Sequence, residues 1–238
     1  MRNATKLTLA DREKYFLAQI SSGNIPDFLR RLVPVRLDGK DSSCVEHKLI
    51  IWVSPDYLAI GCDEDYVRTP LTLQAALEVC RLLRCSLPTT RIVDEIFKQA
   101  YVKVEPIPLG EPRQAVETFL RHNGLIQQQL LNTERSALIA GAKKDIVITR
   151  ALACKPDRVA IYGWHIPTGE PIQPLSTVHH ANYVDYSHGL RLVYRTVLLD
   201  GKTRDIFELL KSPELSKLLS NEGAIPESVL LLAQPQSQ

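Results

Sequence analysis

The chain holds five cysteines but no C-x-x-C pair. That absence removes zinc ribbons and thioredoxin-like motifs from consideration. Five thiols in 238 residues, irregularly spaced, are too sparse for a disulfide scaffold, so Cys44, Cys62, Cys80, Cys85 and Cys154 read as reduced. No window of 18 uncharged apolar residues occurs, so no membrane span and no membrane partner are expected. The N-terminal stretch MRNATKLTLADREKYF lacks the apolar run of a secretory signal. The expected location is the cytoplasm, or a secreted or periplasmic one if a signal peptide has been removed. A dominant charge is missing too: Lys+Arg is 29 and Asp+Glu is 27, a net charge of +2. A nucleic-acid binder usually carries a concentrated basic face, so no nucleic-acid partner is expected. Gly110, Gly141 and Gly163 make no phosphate-cradling array, which leaves nucleotide binding without support. No internal repeat or low-complexity tract is present.

What the sequence does contain is the balance of a globular protein, 45% hydrophobic and 24% charged. Thr8 can cap a helix over residues 9–20, Thr72 begins an amphipathic helix over 72–83, and Thr89 caps another over 91–100. A long helix is expected from residue 112 or 113 to about 131. Residues 33–37, 45–53 and 57–61 read as strands or short apolar runs in the first half. The second half is richer in strands, at 137–140, 146–149, 158–164, 171–178 and 183–199, the last either one long strand or a broken pair. Residues 203–210 and 213–219 read as helical. The sum is α+β: a helical N-terminal half packed on a mainly antiparallel β-sheet from the C-terminal half. Residues 1–225 form one expected domain, with an internal boundary near 106–112 as the most linker-like stretch. Residues 226–238 are expected to fray.

Histidine is unevenly spread. His165, His179, His180 and His188, four of the six, fall within 24 residues. The window from Trp164 to His188 also holds Gln173, Asn182, Tyr183, Asp185, Tyr186 and Ser187. One reading is a divalent metal site, zinc or similar, drawn from His165, His179, His180, Asp185 and His188. The spacing matches no H-E-x-x-H motif. A second reading is nucleophilic catalysis by Cys85, placed just before a helix whose N-terminus favours a thiolate, with His188 as base. A third reading has these imidazoles as hydrogen-bonding groups in loops packed on Trp164 and Tyr186. Lys143-Lys144-Asp145 either presents a cation to an anionic substrate or is a polar strand entry. Asp63-Glu64-Asp65 reads as a solvated acidic turn.

Two resemblances bear on this window. The segments IPDFLRRLVPV, SPDYLAIGCDEDYVRTPLT, CSLPTTRIVDEIF, KKDIVIT, RVAIYGWHIPTGEPIQPLS and YVDYSHGLRLV resemble a family of uncharacterised bacterial proteins over roughly residues 25 to 194. That resemblance implies one structural unit and no mechanism. The order of Cys85 just before a helix followed by His188 on a strand resembles, in layout only, papain-like cell-wall peptidases of the NlpC type, which have cysteine on a helix and then histidine on a strand. The resemblance implies a cysteine hydrolase, with the departure that Cys85 stands four residues ahead of Thr89.

These readings converge on a hydrolase acting on a peptide, cell-wall or glycan-type substrate. Cys85, His165, Asp185 and His188 are its candidate catalytic residues. Trp164, Gln173, Tyr183, Tyr186 and Arg191 are its candidate substrate contacts. No cofactor is expected, with zinc or another divalent metal as the alternative. The alternatives in function are a non-catalytic glycan- or peptide-binding module and a metal-dependent hydrolase. The oligomeric state is open. Cys85, His165, Asp185 and His188 are expected to line one pocket.

Overall fold

A computed structural model describes residues 4–233 of the chain. The fold is α+β. The helices are α1 (Leu9–Ser21), α2 (Leu73–Leu82), α3 (Thr90–Gln99), α4 (Val116–Gln129), α5 (Ile206–Lys211) and α6 (Glu227–Ala233). The caps expected at Thr8 and Thr89 form, and Thr72, expected as the first helical residue, is the cap of α2. Thr8, Thr72 and Thr89 each accept a backbone N–H through the side chain, which satisfies one of the open donors of a helix start. Among the described residues no helix is long and apolar enough to cross a membrane.

Ten strands build the two larger sheets. They are β1 (Val33–Arg36), β2 (Leu49–Val53), β3 (Cys85–Ser86), β4 (Lys144–Ile146), β5 (Ile161–His165), β6 (Pro171–Ser176), β7 (His188–Gly189), β8 (Val193–Tyr194), β9 (Thr196–Leu199) and β10 (Lys202–Asp205). The six-stranded sheet runs β10-β9-β2-β8-β3, with β1 on the other edge of β2. All its pairings are antiparallel, and it takes strands from both halves of the chain. The four-stranded sheet runs β6-β5-β4-β7, with only β4 and β7 parallel. Val35, Ile51, Val53, Val193 and Val197 are fully buried, as alternation on a covered sheet face requires.

The chain between 183 and 199 is broken into β7, β8 and β9 rather than one strand. Residues 203–205, expected in a helix, belong to strand β10 instead. They pair with β9 across the Asp200-Gly201 turn, and the helix starts only at Ile206, where Asp205 caps it through Phe207 N. Thr203 has a weak helical preference, and pairing across a tight turn outweighs the stronger one of Arg204. In the segment expected to fray, Glu227–Ala233 is helical and buries Val229 and Leu230; residues 234–238 lie outside the described residues.

Candidate functional site

The four-stranded sheet organises the polar residues of the histidine-rich window. Residues paired side by side on neighbouring strands project to the same face, and successive residues alternate. Lys144 pairs with His188 on one side and with Gly163 on the other. Asp145 pairs with Gly189 and with Tyr162. Lys144 and His188 therefore share one face, and Asp145 and Tyr162 share the other.

Simple alternation would put His165 on the face opposite Tyr162. Yet Tyr162 and His165 meet the same carboxylate. The Tyr162 hydroxyl donates to Asp94 Oδ1 at 2.8 Å, and His165 Nε2 donates to the same oxygen at 3.1 Å. The break lies between them, where Gly163 (φ 98°) and Trp164 (φ 54°) are both left-handed. Left-handed backbone is rare for a bulky residue and costs about 1–3 kcal/mol. Packing holds it: Trp164 is buried with Phe119 and Tyr186 on the Lys144 face, with Lys144 Nζ 5.3 Å from its ring centroid.

On the Asp145 face, α3 supplies Asp94 and Phe97. The Phe97 ring stacks on His165 with centroids 4.6 Å apart and fixes its plane. The His165 side chain is 4% exposed and that of Asp94 is 29% exposed. Asp94 opens onto a groove of about 480 Å³ lined by Phe97, Lys98, Lys103, Tyr162 and His165 among others. That volume lies within the usual range of small-molecule sites, about 300–1,000 Å³. Both hydrogen bonds fall on Oδ1, so Oδ2 is without a protein donor among the described residues. Behind His165 a space of about 10 Å³ touches Tyr57, Asp145 and Arg191, room for about one water.

Asp145 is buried, and burial pushes its carboxyl up to about 6 against the opposing pull of Arg191. It accepts from the Tyr57 hydroxyl at 3.0 Å. Tyr57 is wedged between two residues of the SHGLR segment. The Arg191 guanidinium lies 4.3 Å from its ring centroid, and Gly189 leaves room for the ring on the other strand.

On the Lys144 face, Asp185 is fully engaged. Its Oδ1 accepts from the Ser187 N–H and hydroxyl, and its Oδ2 from Arg113 and the Tyr183 hydroxyl. Burial works to raise its pKa. Charge at His188, the Ser187 hydrogen bonds and Arg113 outweigh that and hold it below the ordinary carboxylate range. His188 is 1% exposed, and neither ring nitrogen has a partner among the described residues. Burial pushes its pKa down to about 4, so the ring is neutral near pH 7. The buried Trp164 Nε1 also lacks a partner. Each such unmet donor costs about 1–3 kcal/mol. Below this cluster Lys143 is fully buried, its Nζ donating to Tyr186 O and, at 3.1 Å, to His122 Nδ1. Burial, aided by the charge of Arg68, brings Lys143 down to about 7.

The structure thus divides the residues singled out in the sequence. Asp185, His188, Trp164, Tyr183 and Tyr186 gather on the Lys144 face, with His179 stacked on Tyr183 at 4.1 Å. His165 lies on the opposite face. Cys85 is in the other sheet, on β3, its Sγ donating to Leu83 O, and burial pushes its thiol up to about 12. The position ahead of Thr89 gives it no thiolate character. Tyr186 and Arg191 are buried; the Tyr186 hydroxyl bonds the Leu109 backbone, and Arg191 Nη1 and Nη2 donate to Ser54 O and Ile139 O, while its Nε has no partner among the described residues. Gln173 Nε2 donates to Pro174 O, and exposed His180 bonds Asn182. Among the described residues no three His, Cys, Asp or Glu side chains are grouped to hold a metal ion. Sequence reasoning missed Asp94, Arg113, Tyr57 and His122. Asp94 stands 71 residues from His165 in an ordinary helical pattern, so nothing local marks it. Compared with family models, curated proteins and solved structures, the chain has no significant match.

Proposed function

We propose that the protein is a hydrolase of a peptide- or glycan-type substrate, with Asp94 as its general base and acid and His165 as the residue that positions it. The observation that carries this reading is the Asp94–His165–Tyr162 hydrogen-bonded group at the wall of the α3 groove. Acid–base catalysis needs a positioned proton acceptor within reach of a bound water. Asp94 Oδ2 is that acceptor. It takes the proton of a water as the water oxygen attacks the substrate. The scissile bond then breaks, and the leaving atom takes the proton back. Tyr162 and His165 hold Oδ1 and spread the negative charge, while Phe97 locks the imidazole plane. Lys103 at the groove, its Nζ 4.9 Å from the Phe97 ring centroid, favours a substrate with an anionic group, whereas Lys98 is paired with Glu95. Cys85 has no part in this chemistry.

The test is turnover of chromogenic peptide and glycoside panels by the wild type, Asp94→Asn and His165→Gln. The expected loss on Asp94→Asn is about 100-fold or more in kcat, with the far-ultraviolet dichroism unchanged. Variants as active as the wild type would sink the reading. So would fragments that bind in the groove and are never cleaved, an outcome that points to a non-catalytic binding module.

A further inference from the structure

We propose that the opposite face of the same sheet carries a second site, which binds an oxyanion, a carboxylate or a phosphate, through His188, Lys144, Trp164 and Arg113. Three neighbouring strands present the first three groups together: His188 on β7, Lys144 on β4, and Trp164 on β5. The buried His188 ring has two nitrogens without a partner among the described residues, and the Trp164 indole N–H is unmet as well. A neutral imidazole carries one N–H and the indole carries another. Two buried donors beside a cation are what an oxyanion accepts from.

The charge agrees. Lys144 is half-buried and has no carboxylate partner among the described residues. Arg113 holds Asp185 Oδ2 through Nε at 3.1 Å and Nη2 at 3.0 Å, which leaves Nη1 free of protein partners among the described residues. Exposed Glu111 touches the cluster at the Arg113 backbone N–H, which its Oε2 accepts at 2.9 Å, and Asp185 is the acid among the side chains, with donors for all its contacts. Its charge is matched by Arg113, and Lys144 is left over. The side-chain balance inside the cluster is therefore positive, with exposed Glu111 the acid at its edge. Half-exposed Tyr183 and His179, stacked at 4.1 Å, form the rim. Asp185 is a positioning residue here, fixing Arg113 and the turn into His188.

The chain has two tryptophans, Trp52 and Trp164, so the indole N–H signals report the site directly. The experiment is a nitrogen-15 NMR titration of the full chain with inorganic phosphate, with acetate, and with chloride at matched ionic strength; Trp164→Phe assigns the signals. The expected result is a saturable shift of the Trp164 indole with phosphate or acetate, and none for Trp52. Which of the two saturates at lower concentration identifies the oxyanion. Lys144→Met, at a half-exposed position, is expected to weaken binding about tenfold, since charge-assisted hydrogen bonds are the strong ones. Asp94→Asn is expected to leave it unchanged, because that residue lies across the sheet. A Trp164 indole that ignores both oxyanions, or that moves equally with chloride, would overturn the proposal. So would a Lys144→Met variant that binds like the wild type.

Discussion

Gly189 stands against Tyr57 so closely that a Cβ on it would lie 2.5 Å from the Tyr57 ring. The same Cβ would meet the Lys143 side chain at 2.7 Å. Glycine is needed here for space and not for an unusual backbone angle. Gly189→Ala is expected to destabilise the fold by about 1–3 kcal/mol through overpacking. It should also displace Tyr57 from Asp145. Urea denaturation measures the first effect, and an unchanged midpoint would contradict the close packing.

Arg68 and Asp56 form a buried pair, with Nε to Oδ1 at 2.9 Å and Asn123 Oδ1 accepting from Nη1 at 3.1 Å. Removing one partner leaves a charge buried and uncompensated. Asp56→Asn is expected to cost about 3–5 kcal/mol. Asn123→Ala should cost less, about 1–3 kcal/mol, because it removes hydrogen bonds and no charge. Equilibrium unfolding of the two variants gives the order directly. Asn123→Ala being the worse of the two would refute it.

Acid should weaken the fold before ordinary carboxylates titrate. His188 and His122 are pushed down to about 4 and about 2 by burial. An unfolded chain protonates both rings near the ordinary imidazole value of 6.5. Between these values the unfolded state holds more protons, so stability falls as pH drops below about 6.5. The slope is up to about 1.4 kcal/mol per pH unit for each ring. Asp145 works in the opposite sense: its folded value of about 6 exceeds the ordinary carboxyl value of 3.8, so its contribution grows as pH falls through that window. The net expectation is a loss of stability from pH 6.5 to 4.5, steeper in Asp145→Asn. Denaturant midpoints at pH 6.5, 5.5 and 4.5 test it, and a flat profile would refute it.

Thiol labelling should follow exposure. Cys44, Cys62 and Cys154 are exposed, whereas Cys80 and Cys85 are buried, and burial raises both of their pKa values. The thiolate is the reacting form. With iodoacetamide at pH 8, mass spectrometry should find the first three modified well before the other two. Rapid, selective labelling of Cys85 would restore it as a nucleophile.

Much of the helical frame can be read from local chemistry, because a threonine cap and an apolar stripe act within a dozen residues. Thr72 and Thr89 mark their helices to within a residue. Strand β10 is not readable that way, since its pairing with β9 decides it. The same holds for the site. His165, Asp185 and His188 can be picked out as an imidazole-rich segment, but their separation onto two faces cannot. It depends on the left-handed Trp164, whose backbone angle follows from packing with Phe119 and Tyr186. Asp94 is equally hidden, because only the contact between α3 and β5 brings it to His165.

Lys144 and Asp145 are joined by one peptide bond and face opposite sides of a three-residue strand. The sheet there is a partition. Two charged ligands could be held at the same time, one on each side, without repelling or reacting with each other. Traffic on one side would then proceed independently of the other, and the only shared fixture is the wall itself.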